Sequence, residues 1–354
     1  MQDAELLTYM CILHIIPWRH QSLRIYVHYT HIIRSSTMKA AIVQKAGQPP
    51  VYADFANPIA APDEHLITVT AAAISQITKA RASGTHYSST GAFPFVAGID
   101  GVGRCEDGSR VYFVLPRAPH GGMAEKTVVP KARCLALPDD LDDVTAAAIA
   151  NPGLSSWAAL RERAHLRAGD TVLINGATGT SGRLAVQIAK HLGAAKVIAT
   201  GRNAATLQSL TALGADAVIP LVGDGDALEE RFKPHFAGGV DVVLDYLWGA
   251  SAERLLMAAA KAGAEARPIR FVQIGSISSG DITLPSAVLR ASAIELMGSG
   301  IGSIPLERLI ALTGELLQAA IPARLEIAAD PIPLNAIERN WARDDATRRV
   351  VLTM

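Results

Sequence analysis

Apolar residues along this chain follow two rhythms. From Met38 to about residue 150 they come in short runs, at 38–43, 66–72, 101–105, 110–114 and 124–129. Gly and Pro clusters such as Gly47-Gln-Pro-Pro50 and Gly91-Ala-Phe-Pro94 separate these runs. Short apolar runs bounded by turn formers predict strands, and so a β-rich unit. From about residue 151 the texture changes. Apolar runs near 171–175, 196–200, 216–219, 240–245 and 269–275 alternate with helical stripes such as 203–213 and 251–262. Residues 144–150 and 155–163 predict two helices ahead of them. Strict alternation predicts a parallel sheet covered on both faces and wound right-handed. Beyond Gly298-Ser-Gly-Ile-Gly302 the pattern predicts a helix over 305–319 and a return to strand at 349–354. A β-rich unit interrupted by an α/β unit is the simplest description.

The first α/β repeat carries the chemistry. Thr171-Val-Leu-Ile-Asn175 reads as a buried strand, and Gly176, Gly179 and Gly182 follow three apart before a helix with Leu184, Ile188 and Leu192 on one stripe. Glycine lets backbone approach a ligand closely, and a helix N-terminus offers N–H groups and positive dipole to an anion. That combination suits a dinucleotide pyrophosphate, although the spacing departs from G-x-G-x-x-G. The next strand ends in Gly201-Arg202-Asn203, where NAD-binding folds place an acid against the ribose hydroxyls. Arg202 suits a 2′-phosphate instead, so the expected cofactor is NADP(H).

Composition narrows the class. Lys plus Arg and Asp plus Glu both number 33, so no net field favours nucleic acid or an anionic membrane. Cys11, Cys105 and Cys134 fit neither a disulfide framework nor a C-x-x-C site, and point to a reducing, cytoplasmic setting. Residues 1–37 read as a foreign extension outside the fold. Their apolar run from Leu6 to Trp18 is too short to span a bilayer, and Met38 reads as the natural start, with an organelle-targeting leader as the alternative.

Together, Pro94-Phe-Val-Ala-Gly-Ile-Asp100-Gly-Val-Gly103, Gly121-Gly-Met-Ala-Glu125, Leu154-Ser-Ser-Trp157, the 175–182 turn and Asp241-Val-Val-Leu-Asp245 resemble the medium-chain dehydrogenase/reductase superfamily, in its zinc-independent, quinone-oxidoreductase-like branch. The resemblance implies a GroES-like β-rich catalytic domain at 38–150 and 297–354. It also implies a Rossmann doubly wound parallel sheet at 151–296, with the active site between them. It assigns cofactor contacts to Ser155, Gly176, Thr178, Gly179, Thr180, Ser181, Gly201, Arg202, Asn203, Tyr246, Leu247, Ile274, Gly275, Ser276, Ser299 and Gly300. Zinc-dependent relatives carry Cys where this chain has Ile74-Ser-Gln-Ile-Thr-Lys79, and Gly-His-Glu where it has Gly98-Ile99-Asp100, so no metal is expected. Without a Lewis acid, reduction of a quinone or conjugated carbonyl is easier to support than alcohol oxidation. Candidate proton or hydrogen-bond donors are Tyr87, Lys79 and Thr78, with Ser75 and His86 nearby; the Tyr that quinone reductases often carry near 75–78 is absent. The resemblance further implies a homodimer built through a Rossmann sheet edge, using strand-like material at 269–274 and 293–297. The competing reading is a catalytically silent NADPH-binding sensor or structural protein on the same fold.

Overall fold

The computed structural model describes residues 36–84, 92–343 and 347–354, with a two-residue strand pair, β1 (Cys11–Ile12) and β2 (His28–Tyr29). Most of the 1–37 extension lies outside the described residues, as do His86 and Tyr87.

The β-rich part comprises β3 (Thr37–Val43), β4 (Val51–Ala56), β5 (Glu64–Ala73), α1 (Gln76–Ser83), β6 (Phe95–Val96), β7 (Asp100–Cys105), β8 (Arg110–Val114), β9 (Lys126–Pro130) and β10 (Cys134–Ala136). β4 and α1 lie outside the expected strands and helices. β4 pairs only with β3, and its apolar face, Val51, Ala53 and Phe55, is only half-buried. α1 has no apolar stripe and is fixed at its ends. The Ser75 hydroxyl accepts from the Thr78 N–H, and Gly84 closes the helix at φ 77°, a conformation glycine adopts without steric cost.

α2 (Asp143–Ala158) joins the two parts. Two helices are expected here, because Asn151-Pro152-Gly153 reads as a break. The structure has one helix running through Pro152 and continuing as a π-turn over Ala159–Arg163. Burial overrides the local preference: Ala146–Ala150, Pro152, Gly153 and Ser156–Ala158 are all buried. Gly153 also permits a close approach, since a Cβ there would sit 3.0 Å from Leu316 Cδ2.

Strands and helices then alternate: β11 (Thr171–Asn175), α3 (Thr180–His191), β12 (Lys196–Gly201), α4 (Ala204–Ser209), β13 (Ala217–Pro220), α5 (Gly225–Ala237), β14 (Val242–Asp245), α6 (Gly249–Ala262), β15 (Ile269–Gln273), α7 (Ser286–Arg290) and β16 (Ile294–Gly298). They form a six-stranded parallel sheet in the order β13-β12-β11-β14-β15-β16. The order reverses between β11 and β14, which opens a crevice at the carboxyl ends of those strands. β15 is paired on both sides, so the expected edge at 269–274 is an interior strand. The described edge on that side is β16.

After α8 (Leu306–Ala319), the chain re-enters the β-rich part with β17 (Ala329–Pro333), α9 (Ile337–Asn340) and β18 (Arg349–Thr353). β18 pairs with β5 and extends the larger β-rich sheet, as Val351 opposite Ala73 marks. One core runs through both parts, with Ala71, Val102 and Tyr112 from the β-rich sheet, Ile149 and Leu160 from the α2 region, and Val172 and Leu244 from the parallel sheet.

A buried acid inside the β-rich part titrates abnormally. Asp100 accepts a 2.8 Å hydrogen bond from the Tyr112 hydroxyl. Burial raises its pKa to about 6, against the opposing effects of that bond and of the Arg349 charge. The folded protein therefore holds a proton near pH 5 that the unfolded chain has largely released. This group's contribution is fully present below about pH 4 and is lost as pH rises through about 6. Relative to Asp100→Asn, wild-type stability should fall by at most about 3 kcal/mol across that window and stay level above pH 7. Thermal melts of both proteins from pH 4 to 8 check this, and a constant difference would refute it.

Candidate functional site

Three adjacent strands of the parallel sheet end in polar residues after apolar runs: Asn175 on β11, Thr200 on β12 and Asp245 on β14. All three are fully buried. Asn175 Nδ2 donates to Asp245 Oδ1 at 2.8 Å and to Ser251 Oγ at 2.9 Å, and the Thr200 hydroxyl donates to Asn175 Oδ1 at 2.8 Å. The Thr200 oxygen accepts from the Gly176 N–H at 3.0 Å. Asp245 accepts from the Leu247 N–H at 3.0 Å and the Trp248 N–H at 3.2 Å. Burial raises the Asp245 pKa, with these bonds opposing it. The network binds the loops after β11 and β14 to one another. It also holds Trp248 at φ 59°, which is costly for a bulky side chain.

The glycine turn sits on this network. Gly176 has φ 88°, and a Cβ there would lie 2.8 Å from Leu247. Gly182 would meet Gly176 O and Ala177 Cα at 2.5 Å, so only glycine lets α3 start this close to the strand. Gly201 faces Thr178, whose Cγ2 a Cβ would approach to 2.3 Å. Gly179 is the N-cap of α3 and has no side chain to accept from the helix's first N–H groups, and the first turn carries no acid. The Thr178–Ser181 segment thus presents a positive helix end, the arrangement that holds a phosphate.

Beside it, Asn203 caps α4 by accepting from the Thr206 N–H at 2.9 Å. Arg202 is exposed and makes no hydrogen bond or ion pair among the described residues. Ser155 and Tyr246 meet through their hydroxyls at 3.1 Å. Tyr246 is buried, which pushes its pKa up to about 12; its ring belongs to the core and Ser155 is the more open of the two. The Ile274 and Gly275 N–H groups both donate to Asp245 O, at 2.7 and 3.1 Å, and Ser276 beyond them is exposed. The Ser299 N–H donates to Gln273 O at 2.9 Å, and the Gly300 N–H to Ser303 Oγ at 2.8 Å. Trp248, Gln273, Met297 and Gly298 line a hollow of about 310 Å³ next to these strand ends. The expected cofactor residues therefore cluster at one end of the sheet.

Thr78 and Lys79 lie apart from them on α1 and make their hydrogen bonds within the β-rich part. Thr78 is buried, with its hydroxyl 2.8 Å from Ser75 Oγ. Lys79 Nζ donates to Arg343 O at 2.9 Å. Ile99, at the position of the relatives' zinc-binding His, is buried and cannot ligate. No group of three or more His, Cys, Asp or Glu side chains suited to a metal occurs among the described residues. No described helix is long and apolar enough to cross a membrane. Sequence reasoning did not single out Thr200 and Asp245 as site residues. Their signal was one polar residue closing each of three apolar strands.

Known proteins resemble this chain over nearly all of it. The zinc-binding dehydrogenase family matches residues 182–316. A probable NADPH-dependent quinone reductase of Emericella nidulans is 30% identical over 361 residues, covering 89% of this chain and 99% of that protein. The quinone oxidoreductase of Thermus thermophilus, solved also in complex with NADPH, superposes with a TM-score of 0.73 at 27% identity, covering 90% of this chain and 100% of that one. A mycocerosic acid synthase-like polyketide synthase of Mycobacterium tuberculosis is 33% identical over 178 residues, which is 49% of this chain and 8% of that protein.

Asn175→Ala should leave Thr200 and Asp245 short of partners in a dry site. The expected cost is about 1–3 kcal/mol of stability, with weaker NADPH binding because the Gly176 turn loses its anchor. Urea denaturation and fluorescence titration read the two effects. Unchanged values in both would show that the network is dispensable.

Proposed function

The chain belongs to the medium-chain dehydrogenase/reductase superfamily, in its quinone-reductase-like branch, and from that premise we propose that it is an NADPH-dependent reductase of quinones or small conjugated carbonyls that works without a metal. The observation that carries this reading is the 176–182 turn with Arg202 beside it. The turn fits a pyrophosphate, and Arg202 supplies a cation with no other described partner for the 2′-phosphate. The bound dinucleotide supplies hydride.

The residues of this chain bind, orient and exclude. Gly179, Thr180 and Ser181 hold the pyrophosphate at the N-terminus of α3. Gly201 keeps Thr178 close and clears space for the adenosine. Leu247 packs over Gly176, while Ser155, Ile274, Gly275, Ser276, Ser299 and Gly300 bound the nicotinamide end. Tyr87 is the proposed donor to the acceptor oxygen, with Thr78, whose hydroxyl pairs with Ser75, and Lys79, which donates to Arg343 O, as the other candidates. Ile99 and the segment 74–79 offer no metal-ligating set, so conjugation in the acceptor delocalises the charge that a metal would otherwise stabilise. The acceptor enters second, because the nicotinamide forms one wall of its pocket. The homodimer proposed for this protein uses β16, whose edge is open among the described residues; Leu289, Leu296 and Ile301 are exposed near it.

Five measurements test the reading. Arg202→Ala should weaken NADPH binding about tenfold or more and leave NADH binding nearly unchanged, the effect of one charge-assisted phosphate contact. Equal losses for both cofactors would remove Arg202 from the phosphate site. With 4-deuterated NADPH, deuterium should appear at the β-carbon of a reduced enone. Tyr87→Phe should lower kcat if Tyr87 donates in the transition state, and an unchanged kcat would dismiss it. Light scattering at micromolar concentration should give a dimer. If an acceptor panel of quinones, enones, aldehydes and one enoyl thioester gives no turnover while NADPH binds tightly, the sensor reading replaces the enzyme.

A further inference from the structure

The β-rich part contains a pocket of about 80 Å³ between α1 and the segments around 92–99 and 116–120. That is room for a few water-sized groups, enough for a small ligand or one end of a larger one. Its walls are mostly apolar, with Phe93, Phe95 and Ile99 among them, and Phe93 and Phe95 lie 5.4 Å apart between ring centroids. Three side chains on its lining are polar: Thr78, Arg81 and His120. The Thr78 hydroxyl is taken by Ser75. The other two are not satisfied within the described protein.

Arg81 is half-buried, and its guanidinium makes no ion pair or hydrogen bond among the described residues. Burial alone lowers its pKa, and no acid offsets it. A desolvated cation beside aromatic walls is costly unless it finds a partner. His120 Nδ1 has no hydrogen-bond partner among the described residues, but it is sealed from solvent and so from the pocket, to which the ring contributes only wall. Its ring is held edge-on to Phe55 at 5.7 Å, and burial, with Arg117 nearby, lowers its pKa so that the imidazole is neutral at pH 7. The pocket thus has one fixed positive charge in a mostly apolar body. A single guanidinium balances a monoanion, and its planar fork matches a carboxylate. A phosphate dianion would leave a charge uncompensated.

We propose that this pocket binds a small organic carboxylate through Arg81, and that the acceptor reduced by this protein carries that carboxylate. The second half rests on the reductase reading above. It draws on the pocket wall, which includes Thr78, on the helix that also carries Lys79, and Ile99, both on segments that the resemblance assigns to the active site. Arg81 then sets specificity and takes no part in the hydride or proton transfer.

Paired acceptors test this, a 4-oxo-2-enoic acid and its methyl ester, followed by NADPH oxidation. Wild-type protein should prefer the acid by about tenfold or more in kcat/KM, expressed mainly in KM, as one buried charge-assisted pair implies. Arg81→Met should collapse the acid-to-ester ratio towards one, and Arg81→Lys should restore part of it. Melting curves confirm that both variants fold. Equal use of acid and ester by wild type, or an unchanged ratio in Arg81→Met, overturns the proposal. A second measurement separates this from failure of the reductase reading: calorimetry of 4-oxopentanoate, which has no activated double bond, with cofactor-free protein. If no acceptor is reduced but 4-oxopentanoate binds and Arg81→Met weakens it about tenfold, the carboxylate pocket stands and the reductase reading falls. No binding to wild type, or displacement of 4-oxopentanoate by equimolar inorganic phosphate, overturns the carboxylate assignment.

Discussion

The nucleotide end of this molecule depends on one buried side-chain amide. Asn175 satisfies Thr200, Asp245 and Ser251 together, so three parallel strands terminate in register around a single residue. Each partner then serves the backbone: Thr200 fixes the Gly176 N–H, and Asp245 fixes Leu247 and Trp248. In a dry environment such a network is costly when broken and rigid when complete. Rigidity matters because the turn above it has to offer backbone N–H groups to a ligand without first ordering itself.

Much of this arrangement could be read from the chain. The β11, β12 and β14 runs are apolar and end in a polar residue, and the glycine turn lies where a strand meets a helix. Arg202 announces itself by replacing an acid. α2 could not be read correctly, because Pro152 and Gly153 argue locally for a break while burial on several sides keeps the helix intact. α1 is invisible to periodicity for the opposite reason: caps at Ser75 and Gly84 fix it, and a stripe does not. The roles first given to Thr78 and Lys79 assumed free side chains in a loop, whereas helix formation turns Thr78 into the core and sends Lys79 towards Arg343. The pocket lined by Arg81 and His120 joins segments distant in sequence, which no local pattern reveals.

The two parts are joined by more than a hinge. α2 packs against both the β-rich sheet and α3, and the core is continuous through it. Gly153 lets α8 settle against this connection at a distance that any larger residue would increase. Movement between the parts therefore has to occur around a shared packed element, which favours small shear over free rotation.

The pairing of β18 with β5 also constrains the order of events during synthesis. Val351 must find Ala73 across nearly the whole described chain. Until then the Ala71–Ala73 end of β5 lacks its partner, although β9 already pairs with Glu64–Thr68, while the parallel sheet, whose strands lie close together in sequence, can already form. The nucleotide end can mature first on the ribosome, leaving the larger β-rich sheet to close after its partner strand is made. A nascent chain stalled before residue 349 would leave the apolar Ala71–Ala73 end of β5 open to chaperones, so the placement of one late strand decides which half of the molecule needs protection while it is being made.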